Sequence, residues 1–231
     1  MLNIFNNSTE SQSLGNQFRK KRFRFFESNL LKLLRDKAEN SSEEPIINIL
    51  DVGGLEEYWI NMGLDNHINV HITILNLTAQ PTKCSNINSV AGDATNLKEY
   101  KRDSFDVVFS NSVIEHLYNF QNQSKMSSEA IRVGKHFFVQ TPNKHFFIEP
   151  HYLLPFFQYL PKRFRLFILT STILSRGKKW AYSDATQYLD EIRLISRNEM
   201  KLLFPSSNIY EESFLGLTKS FTAHNFESSQ N

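Results

Sequence analysis

Asp51 closes a short apolar run, Ile47-Asn48-Ile49-Leu50, and is followed by Val52, Gly53 and Gly54. Glycines directly after a buried strand let the backbone turn tightly and come close to a ligand. Asn76 ends a second apolar run, Asp93 follows Gly92 after a third, and Ser110 and Asn111 end a fourth. In open α/β sheets ligands sit beyond the carboxyl ends of the strands, where these groups fall. His116 and His151 come later, and an imidazole titrates near neutrality, which suits it to take a proton from a hydroxyl nucleophile. Each also has a plain structural reading, as a hydrogen-bonded histidine in a loop. A carboxyl substrate is already ionised near pH 7, and the histidines would then only position it. With His145 they raise the question of a metal. The spacings do not match H-E-x-x-H and the single Cys84 gives no zinc pattern, so no metal ligands are expected. The dinucleotide fingerprint G-x-G-x-x-G is absent, since the next glycine after Gly54 is Gly63, and no G-x-x-x-x-G-K-[ST] loop occurs. NAD, FAD and ATPase chemistry are thereby disfavoured.

The elements that must position these groups alternate along the chain. Ile47–Val52, Val70–Leu75, Ile87–Ala91, Phe105–Ser110 and Lys135–Gln140 read as strands, with helical segments at 56–62 and 124–133 between them. Such alternation means βαβ units and a mostly parallel sheet. Phe23, Phe26, Leu30 and Leu34 recur at helical spacing within 18–37, beside the basic run Arg19, Lys20, Lys21, Arg22 and Arg24. That predicts a helix packed on the domain, with a lid or an anionic contact as the functional alternative. Residues 1–15 are polar and expected to be mobile. Residues 143–190 carry prolines and many aromatics and are too apolar for a free linker, so a cap over the ligand end is expected. Ser196 with Glu199 forms a capping-box pattern, and 209–214 with 218–222 read as a closing hairpin. The organisation is therefore a tail and basic helix (1–45), a ligand-binding core (46–142), a cap insertion (143–190) and closing elements of the same domain (191–231).

This order of elements, with these residues at the strand ends, resembles the class I S-adenosylmethionine (SAM) dependent methyltransferases. The resemblance covers roughly 46–142 and, more loosely, the closing hairpin. It is carried by Leu50-Asp51-Val52-Gly53-Gly54, by Asn76, by Gly92-Asp93-Ala94, and most specifically by Phe105-Asp106-Val107-Val108-Phe109-Ser110-Asn111-Ser112-Val113-Ile114-Glu115-His116-Leu117. Gln140-Thr141-Pro142-Asn143 and Ile148-Glu149-Pro150-His151 resemble a bacterial subgroup. The resemblance implies a Rossmann-like, doubly wound, seven-stranded sheet with an antiparallel carboxyl-terminal hairpin. It implies SAM as cofactor, giving S-adenosylhomocysteine, with Asp51, Gly53, Gly54, Asn76, Leu77, Asp93, Ala94, Ser110 and Asn111 binding it. Asp51 and the glycines would hold the methionine part, Asn76 the ribose and Asp93 the adenine amino group. His116 and His151 are the candidate bases. Glu115, Asn143, Tyr152 and Phe156 are candidate substrate contacts, with the aromatic insertion as a pocket wall or as a subdomain packing its own core. Two positions depart from the family pattern. Leu55, Glu56 and Glu57 follow Gly54 where further glycines are common, and Glu56 could contact the cofactor's amino group. Asn76 replaces the usual carboxylate and could bond the ribose without a charge.

The 231 residues suffice for one domain with additions. A formal charge of +2 is too small to argue for nucleic acid. One cysteine excludes an internal disulfide and suits a reducing compartment, and no secretory signal or membrane-spanning run is evident, so a cytoplasmic location is expected. The expected function is O-methylation of a small molecule or natural-product intermediate. A peptide or lipid-linked acceptor, methylated at carboxyl or nitrogen, is the alternative. Leu166–Leu174 with Lys162, Arg163 and Arg165 could touch a membrane surface or lipid-like substrate. A non-catalytic SAM-fold partner or sensor is the reading from another class.

Overall fold

In a computed structural model, residues 14–40 and 44–227 are described. The expectation for residues 1–15 falls largely outside them, and α1 (Leu14–Asn40) already begins at Leu14. Five parallel strands form the centre: β1 (Ile47–Val52), β2 (Val70–Asn76), β3 (Ile87–Ala91), β4 (Phe105–Asn111) and β5 (Gly134–Pro142). β1 and β4 are buried at nearly every position, which is why they read as continuous apolar runs. With β8 (Asn208–Phe214) and β9 (Leu217–His224), the seven-stranded sheet has the order β3-β2-β1-β4-β5-β9-β8. β9 runs antiparallel to β5, and β8 antiparallel to β9. The β8–β9 turn uses Leu215 and Gly216, both at positive φ, as a tight hairpin requires. β5 reaches Pro142, two residues beyond the expected Gln140, because β9 pairs with it to that point.

The chain winds outward from β1 to β3, then returns to β4 beside β1. Between β1 and β4 lies the switch point where ligands enter such sheets. On one face α3 (Phe120–Val133) and α6 (Arg197–Leu203) cover Leu50, Val108, Phe137 and Val139, with Met126, Met200 and Phe204 packed in. α6 starts with the expected capping box between Ser196 and Glu199. On the other face α1 and α2 (Glu56–Asn61) cover Ile49, Ile72, Val107 and Phe138. Phe26 of α1 is fully buried against Phe109 and Phe138. The basic helix is thus part of the core, and Arg22 turns inward to pair with Glu212 of β8 at 2.6 Å.

Residues 143–191 leave the sheet at its ligand end. They form a short antiparallel pair, β6 (Ile148–Glu149) and β7 (Leu154–Pro155), then α4 (Lys162–Ser171) and α5 (Tyr182–Glu191). Tyr152, Phe157, Leu169, Ala185 and Leu189 make a small core of their own. No helix among the described residues is long and apolar enough to cross a membrane.

Candidate active site

Asp51 is buried at the end of β1, and its Oδ2 accepts a 2.7 Å hydrogen bond from Trp59 Nε1 of α2. Its Oδ1, also buried, has no partner among the described residues. Burial pushes the Asp51 carboxyl up to about 7, against the opposing pull of the Trp59 bond. Both following glycines are required by their surroundings. Gly53 has φ +75°, and a Cβ there would lie 2.5 Å from Val113. A Cβ on Gly54 would lie 1.6 Å from Asp51 Oδ2. Asn76 at the end of β2 donates from Nδ2 to the Gly54 carbonyl at 2.9 Å. An ionised aspartate could not make that bond, so the departure at this position has a local reason. Glu56 has a different role from the one expected of it. Its Oε1 accepts from the backbone of Cys84 and Lys83 at 2.8 and 2.7 Å, which lowers its pKa and pins that loop.

Two cavities meet at Gly53. One, of about 620 Å³, is lined by Gly53, Asn76, Leu77, Asp93, Ala94 and His116, among others. Asp93 Oδ1 caps the turn by accepting from Thr95 N and Oγ1, both at 2.8 Å. The other, of about 390 Å³, is lined by Arg19, Asp51, Gly53, Gly54, Tyr58 and Asn111, among others. Asn111 Oδ1 is buried there without a partner. Ser110 does not join them: it is buried and its hydroxyl donates to the Val52 carbonyl at 3.1 Å, holding β4 to β1.

After β4 the chain makes a 3-10 turn through Glu115 and His116. Glu115 is fully buried; Thr141 donates to its Oε2 at 2.9 Å, while Oε1 has no hydrogen-bond partner. His151, from the insertion, places Nε2 4.0 Å from that oxygen and holds Glu149 Oε1 at 2.7 Å through Nδ1. His116 Nδ1 holds Glu191 Oε1 of α5 at 2.7 Å, and the two imidazole rings stand 5.0 Å apart, edge to face. One ligand atom each from Glu115, His116 and His151 lies within 4.8 Å of the other two, although their spacing along the chain fits no metal motif. Burial raises the Glu115 pKa despite both histidines. Burial works against a charged His151, but Glu149 and Glu115 outweigh it and its pKa is raised.

The other expected acceptor contacts lie elsewhere. Asn143 is buried and ties the start of the insertion to β9: Nδ2 donates to the Thr218 carbonyl at 2.7 Å and Oδ1 accepts from His145 N at 2.9 Å. Tyr152 is inside the insertion's own core. Phe156 is 60% exposed in a left-handed turn, at φ 55°, and does not line the cavities at the strand ends.

A third cavity, of about 330 Å³, opens beside the first two and shares Ser112 with one and Arg19 with the other. Arg19, Arg22, Arg176 and Lys219 line it, and no acid does among the described residues. Glu212 lies behind, paired with Arg22 and accepting from the Ser220 hydroxyl. Arg22 Nε is buried with no partner among the described residues. Burial lowers the pKa of Lys219, and burial together with the Arg22 charge lowers that of Arg19. The sequence offers Arg19 and Arg22 within a basic run that has a lid or an anionic contact as its functional alternative, and it singles out neither Arg176 nor Lys219.

Comparison with known proteins places residues 55–136 on a family model described as a methyltransferase domain. Among solved structures, a SAM-dependent methyltransferase from Methanosarcina mazei is 14% identical over 81% of this chain and 94% of its own, with a TM-score of 0.48. One from Aquifex aeolicus is 12% identical over 89% of this chain and 96% of its own, with a TM-score of 0.44. A candidate sarcosine dimethylglycine methyltransferase from Galdieria sulphuraria is 19% identical over 42% of this chain, which spans only 39% of that one, with a TM-score of 0.34. Likenesses this distant carry no argument about an acceptor. No curated protein matches. The fold rests on the strand order itself, and residues 55–136, which run from α2 into β5 and include Asn76, Asp93 and Asn111 at the strand ends, match the methyltransferase-domain model.

Proposed function

We propose that this enzyme methylates an oxygen of a small acceptor that carries a carboxylate or a phosphate, a natural-product intermediate being one such molecule. The observation behind this reading is the third cavity, whose cations face a space joined to the cofactor end through Ser112 and Arg19. Arg22 is buried and Arg19 and Lys219 are half-buried, and cations withdrawn from water are costly unless an anion meets them. Among the described residues Arg22 Nε has no partner, and Lys219 rests its Nζ 4.4 Å from the Phe18 ring, so a bound anion would complete the pairing of these cations.

The cofactor end fits SAM. Asp51 Oδ1 and Asn111 Oδ1 are buried acceptors that an ammonium can satisfy, and the cradle left by Gly53 and Gly54 is closed to any Cβ. Asn76 Oδ1 and Asp93 Oδ2 are the groups for the ribose and the adenine. SAM supplies a methyl group on a cationic sulfur, already reactive toward a nucleophile. The chain's own part is to align the acceptor and keep water out. Phe146, Ile148, Pro150 and Leu153 form the apolar wall, the cations fix the anionic end, and Glu115, His116 and His151 attend to the acceptor oxygen and its proton. These assignments belong to the proposal.

Matched acceptor pairs test it: hydroxy acids and sugar phosphates against their neutral esters, with methyl-labelled SAM. Label should enter the acids and not the esters. Lys219→Met should raise the acceptor KM by about tenfold, the loss of one charge-assisted bond, with little change in kcat. Equal transfer to the neutral partners would refute the anionic acceptor. A second reading, a lipid-linked acceptor, is favoured by one observation: Phe164, Phe167, Ile173 and Leu174 of the insertion are exposed together in sequence. Transfer that depends on detergent micelles or vesicles carrying the acceptor would favour it.

A further inference from the structure

We propose that Glu115, His116 and His151 hold a divalent cation of the first transition row. Two imidazoles and a carboxylate are a donor set that such ions favour, whereas Mg²⁺ and Ca²⁺ prefer oxygen alone. Three features of the cluster point to a ligand rather than to internal pairing. Glu115 Oε1 is buried at the centre without a hydrogen bond. His151 Nε2 faces it at 4.0 Å, too far for a hydrogen bond. Each histidine also has its Nδ1 engaged by a separate carboxylate, Glu191 for His116 and Glu149 for His151, both at 2.7 Å. Carboxylates placed this way fix the ring and its tautomer and leave Nε2 as the free donor, the arrangement seen behind metal-bound histidines.

The distances suit one ion. With bonds of about 2.1 Å, two ligand atoms on the same metal stand at most ~4.2 Å apart. The Glu115–His151 separation of 4.0 Å is inside that limit, and all three ligand atoms lie within 4.8 Å of one another, a spread that small side-chain rotations close. The scaffold joins two regions to make the site. Backbone bonds from Arg193 N to Glu115 O, 2.7 Å, and from Tyr118 N to Glu191 O, 3.0 Å, bind the end of α5 to the turn after β4. Three protein ligands leave open positions, and in the methyl-transfer reading, on which this role rests, an acceptor oxygen can take one. A cation there would favour its deprotonated form.

The test is metal binding on the full chain. Protein stripped with a chelator is titrated calorimetrically with ZnCl₂, MnCl₂ and MgCl₂, and bound metal is counted by mass spectrometry. One equivalent of Zn²⁺ or Mn²⁺ is expected, with Mg²⁺ much weaker. Glu115→Gln, which keeps its shape and its Thr141 bond, should abolish uptake. Glu149→Gln and Glu191→Gln should weaken it by roughly 10- to 100-fold. His145→Gln, outside the cluster, should leave it unchanged. No uptake by the wild-type chain, or equal uptake by Glu115→Gln, overturns the site, and preference for Mg²⁺ overturns the class of ion. SAM titration of the same stripped protein separates the two claims. SAM binding without metal uptake defeats the cation and leaves methyl transfer standing. Metal uptake without SAM binding does the reverse.

Discussion

Two buried carboxylates stand at the ligand end of the same sheet, and each keeps one oxygen bonded and one without a partner. Asp51 depends on its sequence neighbours: the glycines that leave it room lie two and three residues on, and Trp59 eight residues on. Glu115 depends on distant ones, with Thr141, His151 and Glu149 coming from β5 and the insertion. The first group's pKa is pushed up to about 7 by burial, with only the Trp59 bond opposing it. The second is faced by two imidazoles and is raised more by burial than they lower it. In the proposed reading, the site written in consecutive residues holds the cofactor and the one assembled across the chain meets the acceptor.

The sharpest way to break this contrast is at Gly54. Gly54→Ala places a methyl group 1.6 Å from the Asp51 carboxylate, so the acid or the turn must move. SAM binding should be lost in calorimetric titration, and the melting temperature should fall by the equivalent of about 3 kcal/mol or more. Gly63→Ala is the comparison: also at positive φ, with nothing within 4 Å, it should cost only about 1 kcal/mol. Equal costs at the two positions would mean that the cradle is not as tight as the geometry implies.

The next largest effect concerns the proton on Asp51. Its pKa is raised from 3.8 to about 7, so between those values the unfolded chain is ionised while the folded chain keeps its proton. This contribution to stability is therefore fully present below the lower value and is lost as pH rises through the window, by at most roughly 4 kcal/mol. Asp51→Asn should flatten that fall: chemical denaturation should find the variant more stable than wild type at pH 8 and near parity at pH 4. SAM affinity should move the other way, dropping about 10- to 100-fold at pH 8, the loss of a charge-assisted bond. A variant less stable at every pH would show that Asp51 is structural and not held in reserve for a ligand.

Asn76→Asp sharpens the comparison at smaller scale. The substitution restores the carboxylate common in the family, yet it removes the donor to the Gly54 carbonyl and sets two acceptors against each other. SAM binding should weaken by about fivefold, one neutral hydrogen bond, and not improve. Tighter binding would mean that the ribose contact outweighs the turn.

These residues also mark what was legible in advance. The parallel strands, the hairpin and the α6 capping box follow from local pattern, since apolar runs, β-branched residues and a Ser-x-x-Glu box are properties of neighbouring residues. The positions of Asp51, Asn76 and Asp93 are legible because each lies at or just beyond the carboxyl end of a recognisable strand. The cluster at Glu115 could not be assembled that way, because which histidine faces which carboxylate depends on how 143–191 folds back. Glu149 beside His151 was the one local sign. The cation-lined cavity was hidden for the same reason: Arg19 and Arg22 sit on a helix whose inward turn is set by Phe23, Phe26 and Leu30, and Lys219 reaches them from a hairpin some 200 residues later.

The smallest expected effect is at Phe156, which an aromatic-rich insertion invites one to place in the acceptor pocket. Its ring is 60% exposed, and the residue is held by its backbone, whose N–H donates to the Phe147 carbonyl at 2.7 Å. Phe157, next to it, is the one buried in the insertion's core. Truncating an exposed ring removes little packing, so Phe156→Ala should change stability by no more than about 0.5 kcal/mol and leave the acceptor KM within experimental scatter. Steady-state kinetics on an acceptor found in the label screen checks this. A KM raised severalfold with the melting temperature unchanged would mean that the insertion swings over the acceptor during turnover. The region assembled across the chain would then differ from the cofactor end in motion as well as in origin.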